Sequence, residues 1–482
     1  MTQSSMSFVR DKMLTQQKPP VSEVGAVRWV RENLFSSPLN GFLTLISLYV
    51  VYWIIASSLP WFLNGVWTAN SLGECRQIIE ANAGPGAEGA CWAILRERWH
   101  QFLFGFYPMD AYWRPVLAFG LMLMALAPAL YYGLRRVNML MLGTVSVLTL
   151  LGMLGVGTDG FHLLLSVVVF AALFAVAALM PKKLLWLTLV YPLVGFYLLW
   201  GGSVWGPVGV AIGFGLLVVV WNKLQSRLGA VVAGGIAVAV ALIWWLQVQP
   251  MVTTPLAHMM PIRLMSVDSD QFGGFLLSFV IGVTAVSASL PMGLLLALGR
   301  RSDMVFIKSV SVVFIEFIRG VPLITMLFTA SLLLNYFLPP RSNFDLILRV
   351  IILVTFFAAA YIAEVIRGGL AALPKGQSEA ADALGLDYWQ AQRFIILPQA
   401  LKISIPGIVS SFIGLFKDTT LVALVGLADP LQGITKMVRA DINWKGVYWE
   451  PLLFVGVIFF IFCFGMSRYS MYLERKLKTD HR

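Results

Sequence analysis

The sequence predicts an all-α polytopic membrane protein of about twelve transmembrane helices, and three observations carry that expectation. Hydrophobic residues fill 59% of the 482 positions, against about 45–50% in soluble domains, while charged residues fill 12%, against about 25%. Apolar runs long enough to span recur near 42–63, 115–134, 139–156, 161–180, 184–200, 207–221, 229–247, 273–298, 314–338, 346–366, 403–427 and 451–472. With the amino terminus inside, the loops at Arg135-Arg136, Lys182-Lys183, Lys223 with Arg227, and Arg300-Arg301 fall on one side. So do residues 367–402 and the tail from Arg468, and that side then carries more than twice the Lys and Arg of the other. The formal charge of +11 is thus spent on orientation, which excludes a nucleic-acid partner.

Residues 1–41 form a cytoplasmic segment with no uninterrupted apolar core behind its early charges, so it is expected to stay in the mature chain rather than act as a signal peptide. From Ser22 as a cap, Val24, Val27, Val30 and Leu34 recur at helical spacing with Arg28 and Arg31 opposite, which predicts an amphipathic helix on the membrane surface. Residues 42–271 form a membrane extension of seven spans. Its external loop, 64–114, holds Cys75 and Cys91 on either side of the chain-reversing Gly84-Pro85-Gly86. A disulfide is expected on the oxidising side, two unpaired thiols being the competing reading. Cys463 falls in the last span as a packing residue. His100, His162, His258 and His481 lie too far apart for ligand spacing, and no metal site is expected.

The first six spans are a Leu, Val, Ala and Gly matrix nearly free of charge, and no repeat relates them to the last six. Residues 272–475 instead carry Glu316, Arg319, Glu364, Arg367, Lys417 and Asp418 in or beside their spans, and 476–482 form a cytoplasmic tail. A charge at mid-bilayer costs about 2.5–3.5 kcal/mol on insertion scales, so such groups pair, sit near an interface or line a polar path. Glu316 with Arg319, Glu364 with Arg367 and Lys417 with Asp418 suit neighbouring pairs. Lys417, Asp418 and Thr419, and after them Glu316 and Arg319, are also candidates for a substrate pathway.

The cytoplasmic stretch 374–398 reads as two short helices at an angle. Ser378 suits the first cap, Gly385 the left-handed turn that ends that helix, and Asp387 with Gln390 a capping box for the second. Pro398 is expected to separate the second helix from the next span. Ala380, Ala381 and Ala383 leave a thin face, and Glu379 a charge, suited to a groove on another protein. The bland alternative is an amphipathic hairpin lying on the membrane.

Glu379, Ala380, Ala381, then Gly385, Ile395, Leu397 and Pro398 stand at the spacing of the cytoplasmic signature loop of bacterial ABC importer permeases, which the chain resembles over about 200 residues. Phe314, Glu316, Arg319, Gly320 and Pro322 resemble the polar amino-acid branch of that family, as do Tyr361, Glu364, Arg367 with Gly368-Gly369, and Phe416 to Leu421. Ala90-Cys91-Trp92, Phe104 to Pro108 and Met466 to Ser470 look like the larger of two permeases in general L-amino-acid importers. The chain departs from a typical member in length, with seven spans before a five-helix core.

The resemblance implies a non-catalytic transport subunit in a bacterial inner membrane, carrying L-amino acids. Its implied partners are a second permease, two cytoplasmic ATPases that hold ATP and Mg, a periplasmic amino-acid-binding protein and the lipid bilayer. Glu379, Ala380, Ala381, Gly385, Leu397 and Pro398 are its implied ATPase-coupling residues. The sequence agrees with that division, since it contains no Gly-x4-Gly-Lys-Ser/Thr phosphate loop. A twelve-helix secondary transporter would be built from two related halves, and a membrane enzyme would need exposed catalytic carboxylates or histidines. The two halves here are unlike, and Glu316, Glu364 and Asp418 are better explained as paired with Arg319, Arg367 and Lys417.

Overall fold

The computed structural model describes residues 25–329, 331 and 345–477, and it is helical almost throughout. Compact packing divides the chain between Arg96 and Glu97.

In the first unit, α1 (Gly25–Asn33) covers the described part of the amphipathic segment, Ser22 and Val24 lying outside the described residues. It exposes Val27, Trp29 and Val30, while Arg28 pairs with Glu32 one turn on at 2.8 Å. Ser37 accepts from the Asn40 N–H and caps α2 (Pro38–Leu63), a span with no buried residue. After α3 (Leu72–Ala83), Cys75 and Cys91 are joined, and Trp92 stacks on Phe62 and Trp67.

The second unit takes in the rest of the extension and the core. Its helices are α4 (Ala93–Phe104) from Glu97 onward, α5 (Trp113–Leu130), α6 (Arg135–Gly155), α7 (Gly160–Leu179), α8 (Leu185–Trp200), α9 (Trp205–Leu228), α10 (Ala230–Ile243) and α11 (Gln249–Met259). They continue with α12 (Gly274–Arg300), α13 (Val305–Gly320), α14 (Leu323–Phe328), α15 (Leu346–Ala371), α16 (Gly376–Ala383), α17 (Tyr388–Ala391), α18 (Leu397–Asp418), α19 (Pro430–Ala440) and α20 (Trp449–Leu477).

The boundary expected near residue 272 is not a break in packing. One buried cluster runs from Leu117, Leu142 and Phe170 of the extension to Ile281, Val354 and Leu415 of the core. Phe119 of α5 meets Phe279 of α12 and Phe462 of α20, so the extension is apolar surface buried directly on the core.

Eleven helical stretches among the described residues are long and apolar enough to span. The expected span at 314–338 is not one of them. Val321 is extended and Pro322 removes an N–H, so the chain breaks between α13 and α14, and most of the remainder lies outside the described residues.

At the loop end that adjoins α12, three backbone segments cross. A Cβ on Gly105, whose φ is +69°, would come within 2.3 Å of the Gly273 Cα, and the Gly274 N–H donates to the Ala428 carbonyl at 2.8 Å. Strands β1 (Gly202–Ser203) and β2 (Arg263–Leu264) pair antiparallel, the Trp444 indole donates to Glu97 at 2.6 Å, and Arg98 pairs with Asp441.

Candidate coupling and transport site

The 374–398 loop is built by its own backbone rules. Pro374 offers its carbonyl to the Gln377 N–H, and α16 starts at Gly376, so Ser378, the expected cap, falls inside the first turn. At the other end Gly385, with φ +70°, donates to the Asp382 carbonyl at 2.9 Å while Leu386 donates to that of Ala381 at 3.2 Å. These are the two bonds of a Schellman ending, which needs a left-handed residue where Gly385 stands. Asp387 accepts from the Gln390 N–H at 2.8 Å, and the Gln390 side chain accepts from Asp387 at 3.1 Å, closing the capping box.

Pro398 does not separate the second helix from the following span. The chain runs from α17 through a π turn, Gln392–Ile396, straight into α18. Pro398 lies in the first turn of α18, where its missing N–H is least felt, and the wider turn before it absorbs the lost bond.

The loop has two faces. Ala381, Ala391 and Ile396 are buried with Leu298 of α12 and Ile366 and Leu370 of α15, so Ala381 belongs to the chain's own seat rather than to a free thin face. Glu379, Ala380, Ala383 and Gly385 are exposed beside Leu384, Tyr388 and Trp389, which are 74%, 53% and 66% exposed. These large apolar side chains stand out together on the face turned away from the seat. Nothing in the sequence singles out Leu384 and Trp389, because which face of a short helix is buried depends on what packs against it.

Beside the seat, five charges meet. Arg300 of α12 reaches Glu316 of α13 and Glu364 of α15, both at 2.8 Å, and Arg367 reaches Glu364 at 2.9 Å. Arg319 lies 3.6 Å from Glu364 with its guanidinium over the Tyr361 ring. The expected Glu316–Arg319 pair is therefore replaced: Glu316 takes Arg300, and Arg319 turns to Glu364. The sequence marks Arg300 only as an orienting loop charge. Its partners lie 16 and 64 residues on, and the second is invisible to local spacing.

At the far end of α18, Lys417 is exposed, Asp418 half-buried and Thr419 fully buried. Lys417 and Asp418 make no ion pair with each other within 4.0 Å among the described residues, since adjacent helix positions point about 100° apart. Thr419 donates to the Phe416 carbonyl at 2.7 Å and packs toward Gly282 of α12, in the core rather than on an open path. Beyond the span, Asp429 caps α19 by accepting from Gln432 and Leu431 at 2.9 and 3.0 Å. Burial pushes its carboxyl up to about 6, against the opposing pull of those N–H groups and of Lys436. Among the described residues, no three His, Cys, Asp or Glu side chains group as metal ligands would.

Residues 289–479 match the family described as binding-protein-dependent transport system inner membrane component. The chain is 59% identical over 479 residues to the glutamate/glutamine/aspartate/asparagine transport system permease protein BztC of Rhodobacter capsulatus, covering 99% of this chain and 100% of that one. The chain belongs to the amino-acid ABC importer permeases.

The inner membrane amino-acid ABC transporter permease protein YhdY of Escherichia coli is 34% identical over 455 residues, 94% of each chain. The shorter glutamate/aspartate import permease protein GltK of Escherichia coli is 32% identical over 209 residues, 42% of this chain and 91% of its own. The chain is thus a multi-pass permease subunit of an ABC amino-acid importer, working with an ATPase and a binding protein. The length that departs from a typical member is shared by the first two relatives.

Proposed function

We propose that this permease conducts acidic amino acids and their amides, glutamate, glutamine, aspartate and asparagine, across the bacterial inner membrane. The supporting observation is near-complete alignment, at 59% identity, with a permease named for those four substrates. In this reading both termini and the 374–398 loop are cytoplasmic. A second, different permease completes the pathway, and two ATPase subunits hold ATP and Mg, leaving this chain without a catalytic role. The exposed Leu384, Tyr388 and Trp389, with Glu379, Ala380 and Gly385, form its contact with an ATPase. Movement of that contact biases the permease between inward-open and outward-open states. Lys417 and Asp418, exposed and half-buried without a mutual ion pair, are its candidates for meeting the charged ends of substrate.

Reconstitution of the whole importer in vesicles tests this reading. Glutamate and glutamine uptake should require ATP, ATPase and binding protein together, whereas a secondary carrier would take up substrate through this chain alone. Gly385→Val cannot readily hold the left-handed turn, so uptake should fall by about tenfold or more while the binding protein still docks. Normal, substrate-stimulated ATP hydrolysis in that variant would show that the loop is not the coupling element.

A further inference from the structure

One carboxylate at the coupling face gathers three helices. Glu364 receives Arg300 from the end of α12 and Arg319 from α13, besides Arg367 of its own helix, and Arg300 holds Glu316 of α13 as well. Less than two turns further along α15, Ile366 and Leu370 form the seat on which Ala381 and Ile396 of the coupling loop rest. Arg301, next to Arg300, donates to the Leu370 carbonyl at 3.3 Å. The carboxylate and the seat therefore share one stretch of helix, 364–370, about 9 Å long.

Stability is a weak reason for such a network, because well-packed apolar groups of similar volume hold helices as firmly as a partly buried ion cluster. Its three guanidiniums also outnumber its two carboxylates, so it is not closed on itself in charge. What it offers is multiplicity. Arg300 has two carboxylates and Glu364 three guanidiniums, so the joint keeps most of its bonds when one contact slides, as an interdigitated apolar joint does not.

We propose that Glu364, with Arg300, is a positioning residue for coupling: it fastens α12 and α13 to the helix that carries the loop, so that displacement of 374–398 moves all three together. This rests on the loop being the ATPase contact.

The test uses the complete reconstituted importer and the double variant Arg300→Gln/Glu364→Gln, which removes one charge of each sign and leaves the net charge of the cluster unchanged. The variant should assemble with its partners at normal yield and hydrolyse ATP. Stimulation by substrate-loaded binding protein, and amino acids carried per ATP, should each fall about fivefold or more. Glu364→Asp keeps the charge with a shorter reach and should recover part of both. A merely structural role would alter yield or melting temperature and leave the transported-per-ATP ratio alone.

A normal ratio in the assembled double variant overturns the proposal. So does a double variant that fails to assemble while Glu364→Asp couples normally, since the cluster then only holds the fold; an uncoupled, assembled Glu364→Asp supports it. Gly385→Val in the same assay separates the two ideas. If it alone is uncoupled, the clamp falls and the loop stands; if it too is normal, the loop reading falls and the clamp with it.

Discussion

In the extension, side chains reach across to backbone oxygens: Tyr191 to Ala118, Trp244 to Gly209, Trp245 to Val210 and Gln249 to Gly206, at 2.8–3.2 Å. In the core, α12, α13 and α15 meet through Arg300, Glu316, Arg319 and Glu364. A neutral donor on a fixed carbonyl has one partner and one geometry, which suits helices that keep their register. A charged group with several partners can exchange them at the cost of one bond among several. The difference assigns a fixed register to the helices of the extension and, to the core, a joint that tolerates small slides while its three helices move together.

The largest effect that would sharpen this contrast is on transport. Lys417→Ala and Asp418→Ala in the core should each lower uptake by roughly tenfold with assembly intact, if they meet substrate, which is about the loss of one charge-assisted bond. Lys182→Ala and Lys183→Ala, exposed between α7 and α8, should leave uptake unchanged. Equal losses in both regions, measured with labelled glutamate, would erase the distinction.

A smaller effect follows from pH. The Asp429 carboxyl is raised to about 6 by burial, above its ordinary value of 3.8, so the folded state holds a proton that the unfolded state releases. Stability of the α19 region should therefore fall as pH rises from about 4 to about 6 and stay level above that, by on the order of 1–3 kcal/mol. Asp429→Asn, neutral at every pH and still a good cap, should flatten the dependence. Hydrogen exchange of the α19 amides at pH 5 and pH 7.5 measures it, and an unchanged slope in the variant would exclude Asp429 as the source.

Smallest is the neutral bond itself. Trp244→Phe removes the indole donor to Gly209 but keeps the ring, and should cost about 1 kcal/mol of thermal stability with normal coupling. Loss of coupling in that variant would mean that the extension moves with the core after all.

Much of the candidate site is legible in the amino-acid order. Gly385, Asp387 and Gln390 specify their turn and cap through bonds within six residues, so local chemistry is enough. Pro398 misleads because a proline need not stop a helix: it lies in the first turn of α18, and the π turn at Gln392–Ile396 before it accommodates the missing N–H. Glu316 and Arg319 mislead because i,i+3 spacing makes a pair available without excluding a better partner, and Arg300 from another helix is nearer.

By itself the sequence determined the helical membrane class, because transferring backbone polar groups into lipid leaves few options and apolar runs record the choice. It also determined where the loop turns, because glycine and the capping residues act on their own neighbours. Only the tertiary structure decided that the extension shares the core's buried cluster, that Ala381 faces inward while Leu384 and Trp389 face out, and that one carboxylate gathers three guanidiniums. Those outcomes depend on which helix faces lie together, and apolar runs of nearly uniform hydrophobicity do not encode their neighbours.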